Sequence, residues 1–520
     1  MLYPVFFAAV YLSHLTLLRL PYFWDEGGYY IPAAWDFFRT GTLIPVTTVT
    51  NAHPPLPSIL LAGWWHLSGF VPSGTRTFIC MVAAAALLAV FRLTRDLLGT
   101  AAAVATTLLT ATYPIWYAQS TLAHADIFAA AFTLWGLSFY LQSATEPGAP
   151  RLDSETWVST QRKISAAILF SLAALSKETA IITPLALAIW ETFLYLRDRN
   201  LRSHLGWIAA LLAPILPLAA WYAYHFHRTG FVFGNPEFLR YNATANLDAH
   251  RIALCLYHRF LHLTMHMNMF VPVISTAAVL LLPAVSTRAR LPRPILNAIA
   301  VILFANWIAF SVLGGALLTR YLLPMYPLIL LVCVAEWQRR LPRWEGLVAL
   351  SFAAFLAGIW INPPYAFAPE DNLTYRDMIV LHQRAVALIE HKWPQATVLT
   401  AWPAYSELQR PELGYTRVPI KAFAIQNFTM GEIAKAAADP GDYDTALLFS
   451  TKWAPPPGRA NLAQRNAPAD ARYFDFHEDV RPAEAAAILH GELVWQASTR
   501  GEWVAILRFP RIVNANLSLK

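Results

Sequence analysis

The chain has 520 residues, of which 57% are hydrophobic and only 14% are charged, whereas soluble domains carry about 25% charged residues. This composition excludes a string of about three soluble domains, which the length alone would suggest. Residues 1–361 contain 23 Lys and Arg against 15 Asp and Glu, and residues 362–520 contain 16 against 17. The basic excess lies in the first part of the chain, where cytoplasmic loops explain it better than nucleic-acid binding.

Residues 1–361 contain about eleven apolar runs, each close to the roughly 20 residues that cross a bilayer as a helix. The runs lie near 3–20, 74–94, 100–118, 126–142, 164–177, 179–196, 205–225, 267–285, 295–313, 316–337 and 344–361. Basic residues cluster in short loops on one side, for example Arg339, Arg340 and Arg343, and this side is predicted to be cytoplasmic. The first loop at 21–73, the long loop at 226–266 and the tail are then predicted to lie outside.

Residues 362–520 read as a small soluble α/β domain. Buried strands are predicted at 397–400 and 445–449, and a closing hairpin is predicted near the C-terminus. Helical spacing of apolar residues predicts a helix at 376–392. Nothing in this tail has a catalytic pattern, so we expect it to act as a lid, to dock an acceptor or to stabilise the protein.

The first outer loop holds the densest group of polar residues. Asp25 and Glu26 directly follow the first apolar run, and Tyr29 and Tyr30 come next. Polar groups at membrane depth are costly and therefore mark candidate functional sites. The two acids could serve acid–base chemistry or could equally cap the helix that follows them. His53, which precedes a Pro-Pro pair, could donate to an anion or cap a helix.

Further polar residues follow on the same predicted face. Asp126 opens a helix, where it could be an N-cap, but it shares the outer face with Asp25. Lys177 and Glu178 lie between two apolar runs and could form a local ion pair. Arg320, followed by Tyr321, starts the tenth run, where its guanidinium could bind a phosphate or simply extend towards the interface.

This order of residues resembles the polytopic GT-C glycosyltransferases. The motifs that carry the resemblance are Asp25-Glu26, Tyr29-Tyr30, His53-Pro54-Pro55-Leu56, Asp126, Lys177-Glu178 and Arg320-Tyr321-Leu322-Leu323-Pro324. They cover most of residues 1–340 and are similar to the branch that contains protein O-mannosyltransferases, aminoarabinose transferases and lipopolysaccharide galacturonosyltransferases. The resemblance implies a GT-C fold with about eleven transmembrane helices at 1–361 and an extracytoplasmic α/β domain at 362–520.

The resemblance also implies an activity. Such enzymes move a sugar from a polyprenyl-phosphate carrier to an acceptor hydroxyl outside the membrane, usually with inversion. In this chain Asp25 resembles the catalytic base, with Glu26 and Asp126 as accompanying acids. His53, Lys177 and Arg320 resemble cations near the donor phosphate. Tyr29, Tyr30, Glu178 and Tyr321 are expected to line the substrate site.

No metal site is predicted. Cys80, Cys255 and Cys333 are far apart in the sequence and lack metal-ligand spacing. Asp25 and Asp126 could hold a divalent cation, although the resemblance implies that relatives in this branch commonly work without one. His258, His262 and His266 recur at helical spacing, and a polar helix face is favoured over a metal site because no acidic fourth ligand is evident.

The leading interpretation is an extracytoplasmic glycosyltransferase in the inner membrane of a bacterium. Its expected partners are a polyprenyl-phosphate sugar donor, membrane lipids and a glycan, lipid or protein acceptor, without nucleic acid. The alternative is a polytopic transporter or flippase for lipid or polysaccharide. Transporters usually carry internal repeats and polar groups near the bilayer midplane, whereas the polar residues here cluster at one predicted surface.

Overall fold

The computed structural model describes residues 2–50, 53–143, 153–198, 201–234, 247–285, 287–288, 290–313, 317–439, 443–452, 467–474 and 476–509. Residues 235–246 of the predicted outer loop at 226–266 lie outside this description. The chain forms two compact units. The helical unit comprises Met1–Leu18, Tyr29–Ile361 and Glu370–Asn372, and the tail unit comprises Arg19–Gly28, Asn362–Pro369 and Leu373–Lys520.

The helical unit contains sixteen described α-helices. They are α1 (Leu2–Ser13), α2 (Ile31–Thr40), α3 (Leu56–Ser68), α4 (Pro72–Leu98), α5 (Thr100–Thr112), α6 (Pro114–Gln119), α7 (Ala125–Ser143), α8 (Asp153–Ser176), α9 (Ile182–Asp198), α10 (Leu201–Leu212), α11 (Ile215–Thr229), α12 (Ala249–Thr264), α13 (Phe270–Val279), α14 (Arg293–Val312), α15 (Met325–Arg340) and α16 (Glu345–Trp360). Within the described residues, four stretches of helix are long and apolar enough to cross a membrane: Pro72–Leu98, Glu178–Arg197, His204–Thr229 and Arg293–Val312.

Several predicted apolar runs form shorter helices than expected. The run near 3–20 is an α-helix only over α1, and at its end the Ser13 hydroxyl and the His14 ring both bond to the carbonyl of Val10. Side chains that bond to nearby backbone groups compete with the helix. The run near 205–225 is divided between α10 and α11, and the second of these begins directly after Pro214.

The interior of the helical unit is formed where α7 packs against α4 and α8. Leu134, Leu137 and Phe170 are fully buried there. Gly136 allows the closest approach, since a methyl group at this position would lie 2.9 Å from Cε1 of Phe170. Small residues at such crossings let apolar helices pack tightly without a hydrophobic driving force. This packing fixes α7 and α8, whose ends carry Asp126 and Lys177.

The tail unit is built on one five-stranded sheet. The strands are β1 (Thr397–Ala401), β2 (Lys421–Ile425), β3 (Thr445–Ser450), β4 (Glu492–Thr499) and β5 (Glu502–Arg508), in the order β2-β1-β3-β5-β4. The strand β1 runs parallel to β2 and β3, and β5 runs antiparallel to β3 and β4. Every residue of β3 is buried, and its apolar run at 446–449 is typical of a central strand.

Helices of the tail unit accompany the sheet. They are α17 (Thr374–Lys392), α18 (Ala404–Gln409), α19 (Met430–Ala438), α20 (Ala467–Phe474) and α21 (Pro482–Ile488). The long helix α17 packs against β4 and β5. The strands and the helix predicted from residues 376–449, and the predicted hairpin at the C-terminus, all lie on described elements. One feature was not anticipated: Arg19–Gly28, which precede α2 in the sequence, group with this unit.

Candidate functional site

A buried cluster of charged residues lies in the helical unit. Nζ of Lys177 lies 2.5 Å from Oδ1 of Asp126, and Nε of Arg320 lies 3.3 Å from Oδ2 of the same carboxylate. Arg320 also donates through Nη1 to Glu370. All four side chains are at most 7% exposed. Two cations and two acids thus compensate one another's charge in a buried site. Buried charges require such partners.

Local sequence explains why the two cations reach this point. The helix α8 ends at Ser176, Lys177 is extended (φ −151°, ψ 126°), and a short 3₁₀ turn from Glu178 to Ile181 leads into α9. Arg320 lies in a second 3₁₀ turn, Thr319–Leu322, which ends before Pro324 and the start of α15. Both cations are therefore carried by breaks between helices.

Asp126 lies in the first turn of α7. Of the two readings of this residue, its carboxylate contacts fit the charged site, since it pairs with Lys177 and Arg320 rather than only with its own helix. Tyr321 completes the cluster, because Nζ of Lys177 lies 3.7 Å from the centre of its ring. This is a cation–π contact, which strengthens when it is desolvated.

A small cavity adjoins this cluster. Asp126, Lys177, Arg320 and Tyr321 line it. The other lining residues are Ala129, Ala130 and Thr133 of α7, Thr179 and Ala180 of the 3₁₀ turn before α9, Thr183 of α9, Asn306 and Phe310 of α14, and Pro324 before α15. The Asn306 amide donates to the Thr183 hydroxyl at 3.2 Å on the wall of the cavity. The cavity therefore combines charged groups, neutral polar groups and apolar side chains.

A second polar group lies next to the first along the chain. Nδ1 of His53 is 2.9 Å from Oε2 of Glu178. The Tyr30 ring stacks on the His53 ring at 5.8 Å and tilts against His124 at the same distance. Glu178 directly follows Lys177 in the sequence. The break after α8 therefore carries Lys177 of the charged cluster and Glu178 of this second polar group.

His124 supports the loop before α7. It is fully buried, and its Nδ1 lies 2.9 Å from Oε1 of Gln119. Burial lowers the pKa of His124 well below its ordinary value, and the nearby charges of Arg320, Lys177 and Arg76 act in the same direction. The ring is therefore neutral, and it adds no positive charge to the site.

Asp25 and Glu26 belong to the tail unit. Glu26 is fully buried and its Oε2 accepts a hydrogen bond from the backbone N–H of Phe23 at 2.8 Å, so this acid closes its own turn. Asp25 is half-buried. Tyr29 is half-buried in the π-helical turn Glu26–Tyr30 that follows. The structure thus brings together four of the predicted site residues, Asp126, Lys177, Arg320 and Tyr321. A second set of contacts connects His53 with Glu178 and Tyr30. Asp25 and Glu26 group with the tail unit.

Sequence reasoning missed the acids that complete the helical unit. Glu370 pairs with Arg320, and Asp371 lies 2.9 Å from Nε2 of His266 and accepts from the Thr319 hydroxyl. Both acids follow the predicted boundary at residue 361 and so appeared to belong to the soluble tail. The sequence signal was only a pair of adjacent acids, which is common on soluble surfaces.

Two buried arginines were also missed. Nη1 of Arg76 donates to the carbonyl of Thr121 at 2.8 Å, and Nη1 of Arg259 donates to the carbonyl of Leu318 at 2.6 Å. Both side chains are fully buried. They hold the loop before α7 and the segment before Arg320. Among the residues that the structure describes, no three His, Cys, Asp or Glu side chains come together as a metal site.

Comparison with known proteins identifies the fold. Residues 52–222 match the family model described as dolichyl-phosphate-mannose-protein mannosyltransferase. Among the curated proteins, none matches the chain. The structure is similar to that of ArnT from Cupriavidus metallidurans bound to undecaprenyl phosphate, with 15% identity, 97% of each chain covered and a TM-score of 0.56. The apo state of the same ArnT gives 14% identity, 97% of each chain and a TM-score of 0.57.

The oligosaccharyltransferase of Archaeoglobus fulgidus, in complex with Zn and sulfate, is a weaker match, with 12% identity and a TM-score of 0.48 over 86% of this chain and 68% of that one. The match to ArnT extends over nearly the whole of both chains, and the apolar helices described above are those of a membrane protein. The chain is a multi-pass membrane protein with the GT-C glycosyltransferase fold, and the resemblance predicted from its sequence is confirmed.

Proposed function

We propose that this protein transfers a sugar from a polyprenyl-phosphate donor to an acceptor hydroxyl at the outer face of a bacterial cytoplasmic membrane, with inversion. The observation that carries the proposal is the buried cluster of Lys177, Arg320 and Asp126 beside a small cavity. The mannosyltransferase model and the ArnT structure with bound undecaprenyl phosphate support a lipid-phosphate donor. The predicted eleven spans, the domain boundary at 361 and the outer position of the tail form part of the proposal.

In the proposed mechanism Lys177 and Arg320 hold the donor phosphate. Both cations already face the Asp126 carboxylate, so the phosphate would take the place of that carboxylate as their partner. Negative charge on the departing phosphate increases as the glycosidic bond breaks, and fixed cations in a dry site stabilise such charge strongly. The polyprenyl phosphate remains anionic and needs little protonation as it leaves.

Asp25 is proposed as the general base. Its carboxylate would accept the proton of the acceptor hydroxyl while the hydroxyl oxygen attacks the anomeric carbon from the face opposite the phosphate. Glu26 is given a supporting role, because its buried carboxylate is engaged with the backbone of Phe23. His53, Glu178, Tyr30, Tyr29 and Tyr321 are proposed to contact the donor or acceptor.

The test is transfer of labelled sugar from polyprenyl-phosphate donors by the purified full-length protein in lipid, with an envelope extract as acceptor. We expect Asp25→Asn to reduce transfer at least about 10³-fold, as loss of a general base does, while donor binding persists. Arg320→Lys should instead weaken donor binding, since lysine lacks the fork that reaches two partners. Arg343→Lys, in an exposed loop, is the matched control and should change neither quantity.

Two outcomes would contradict the proposal. Near-normal turnover by Asp25→Asn would remove Asp25 as the base. No turnover with any donor, together with protein-dependent movement of intact lipid across the bilayer, would favour the transporter.

A further inference from the structure

The segment that carries Asp25 is held by backbone contacts within the tail unit. The backbone N–H of Tyr22 donates to the carbonyl of Leu413 at 3.1 Å, and the Tyr415 hydroxyl donates to the carbonyl of Tyr22 at 3.2 Å. Tyr22 and Leu413 are each 1% exposed. The segment is therefore anchored three residues before Asp25 by groups that lie almost 400 positions later in the chain.

Trp402 contacts the segment on both sides of Asp25. Its ring packs edge-on against Trp24, with ring centres 5.0 Å apart. A Cβ added to Gly28 would lie 2.8 Å from Cζ2 of Trp402. Gly28 therefore has to be glycine for the indole to approach this closely, although its backbone conformation alone would permit other residues.

The backbone immediately before Asp25 is in an unfavourable conformation. Trp24 has φ 44°, in the left-handed region that a bulky residue rarely adopts. Such a conformation persists only where surrounding contacts determine it. The contacts that hold it include the edge-on ring of Trp402, the hydrogen bond from the backbone N–H of Gly28 to the carbonyl of Trp24 at 2.9 Å, and the turn that Glu26 closes on Phe23. Together they set the direction in which the next residue, Asp25, leaves the backbone.

We infer that Trp402 is a positioning residue for Asp25, through which the tail unit fixes the orientation of the catalytic base. This inference rests on the proposed role of Asp25. Trp402 acts on the backbone at positions 24 and 28 and requires no contact with substrate. This gives the tail unit a defined role, because its Trp402 fixes the backbone conformation of the segment that carries Asp25.

Trp402 is not part of the central packing of the tail unit. Its exposed fraction is 36%, whereas Leu399, Leu447 and Ile506 at the centre of the sheet are fully buried. Removing the indole should therefore leave the sheet folded and release the segment at 19–28. This separation makes the inference testable by substitution.

The experiment compares Trp402→Ala, Trp402→Phe and Trp495→Ala in full-length protein, with the same transfer assay and a separate measurement of donor affinity. Trp495 is a half-buried tryptophan on the edge strand β4 and serves as the matched control. We expect Trp402→Ala to lower kcat at least about tenfold, since small displacements of a catalytic group cost that much or more. Donor affinity should stay the same, and Trp402→Phe, which keeps an aromatic edge for Trp24, should recover most of the rate.

A steric exchange provides the second arm. Gly28→Ala should lower kcat because its methyl group collides with the indole, and adding Trp402→Phe should restore part of that loss because the smaller ring lacks the colliding atoms. Amide hydrogen exchange of peptides covering 19–28 should rise in Trp402→Ala and stay unchanged in Trp495→Ala.

Failure of this inference differs from failure of the proposed function. The positioning role would be overturned, while Asp25→Asn remained inactive, by any of three results. These are full turnover by Trp402→Ala, equal losses of kcat in Trp402→Ala and Trp495→Ala, or a loss in Trp402→Ala that is confined to donor affinity. An active Asp25→Asn protein would instead overturn the proposed function, and the positioning of a catalytic base with it.

Discussion

At the scale of the residue, the charges of the site depend closely on one another. Lys177 and Arg320 share Asp126, and Arg320 has Glu370 as a further partner. Removing one member of such a buried group leaves a charge without compensation and costs about 3 to 5 kcal/mol. Substitutions that keep the charge are therefore more informative here than alanine, because they change geometry without destabilising the helical unit.

A buried acid in the tail unit gives a prediction on pH. Glu502 is fully buried, and neither carboxylate oxygen has a hydrogen-bond partner in the part of the chain that the structure describes. Burial raises the pKa of Glu502 well above its usual value, the charge of Asp377 acts in the same direction, and Arg500 opposes them. The folded state thus favours the neutral form of this carboxyl.

The sign of the effect follows from proton linkage. A raised pKa in the folded state stabilises the fold below the unfolded pKa of about 4.3, and this contribution is lost as the pH rises through the folded value. We expect the backbone amides of β4 and β5 to exchange more slowly in Glu502→Gln than in the wild type at alkaline pH. At acidic pH the difference in exchange rate between the two proteins should be smaller. Hydrogen exchange of peptides covering 492–508 at several pH values measures this. An unchanged pH dependence in the variant would contradict a neutral Glu502.

At the scale of the element, the contact between α7 and α8 controls the charged site. These helices end near Asp126 and Lys177, and Gly136 packs directly against Phe170. We expect Gly136→Ala to lower the free energy of unfolding by about 1 to 3 kcal/mol, as overpacking does. Phe170→Leu should restore part of this loss when it is combined with Gly136→Ala. Thermal unfolding in detergent measures both effects. Equal stability of Gly136→Ala, Phe170→Leu and the double variant would show that Gly136 and Phe170 are not tightly packed.

The elements differ in how far sequence could predict them. The strand β3 and the helix α17 were predictable because a continuous apolar run and a helical period are local signals. Lys177 and Arg320 were found as polar residues next to apolar runs. Their partnership with Asp126 depends on how the helices pack, and Glu370 could not be assigned because its partner lies 50 positions earlier. The grouping of Asp25 with Trp402 and Leu413 likewise depends on contacts distant in sequence.

At the scale of the whole molecule, the membrane topology can be tested directly. Cys80, Cys255 and Cys333 are buried, so added cysteines can be labelled against a low background. We expect a membrane-impermeant thiol reagent to label Lys435→Cys in spheroplasts, since the tail is proposed to be outside. Arg343→Cys should react only after permeabilisation, because its basic loop is proposed to lie on the cytoplasmic side. Labelling in the reverse order would overturn the proposed sidedness.

The short turn Pro369–Asp371 has a consequence for how the protein can be dissected. Glu370 and Asp371 are buried partners of Arg320, His266 and Thr319 in the helical unit, although residues 362–369 before them and the chain from Leu373 onward belong to the tail unit. A truncation after residue 361 would therefore remove more than the soluble tail, because it would also leave buried cationic and polar groups uncompensated. Loss of activity in a truncated protein would not reveal what the tail does, whereas point substitutions on its surface would.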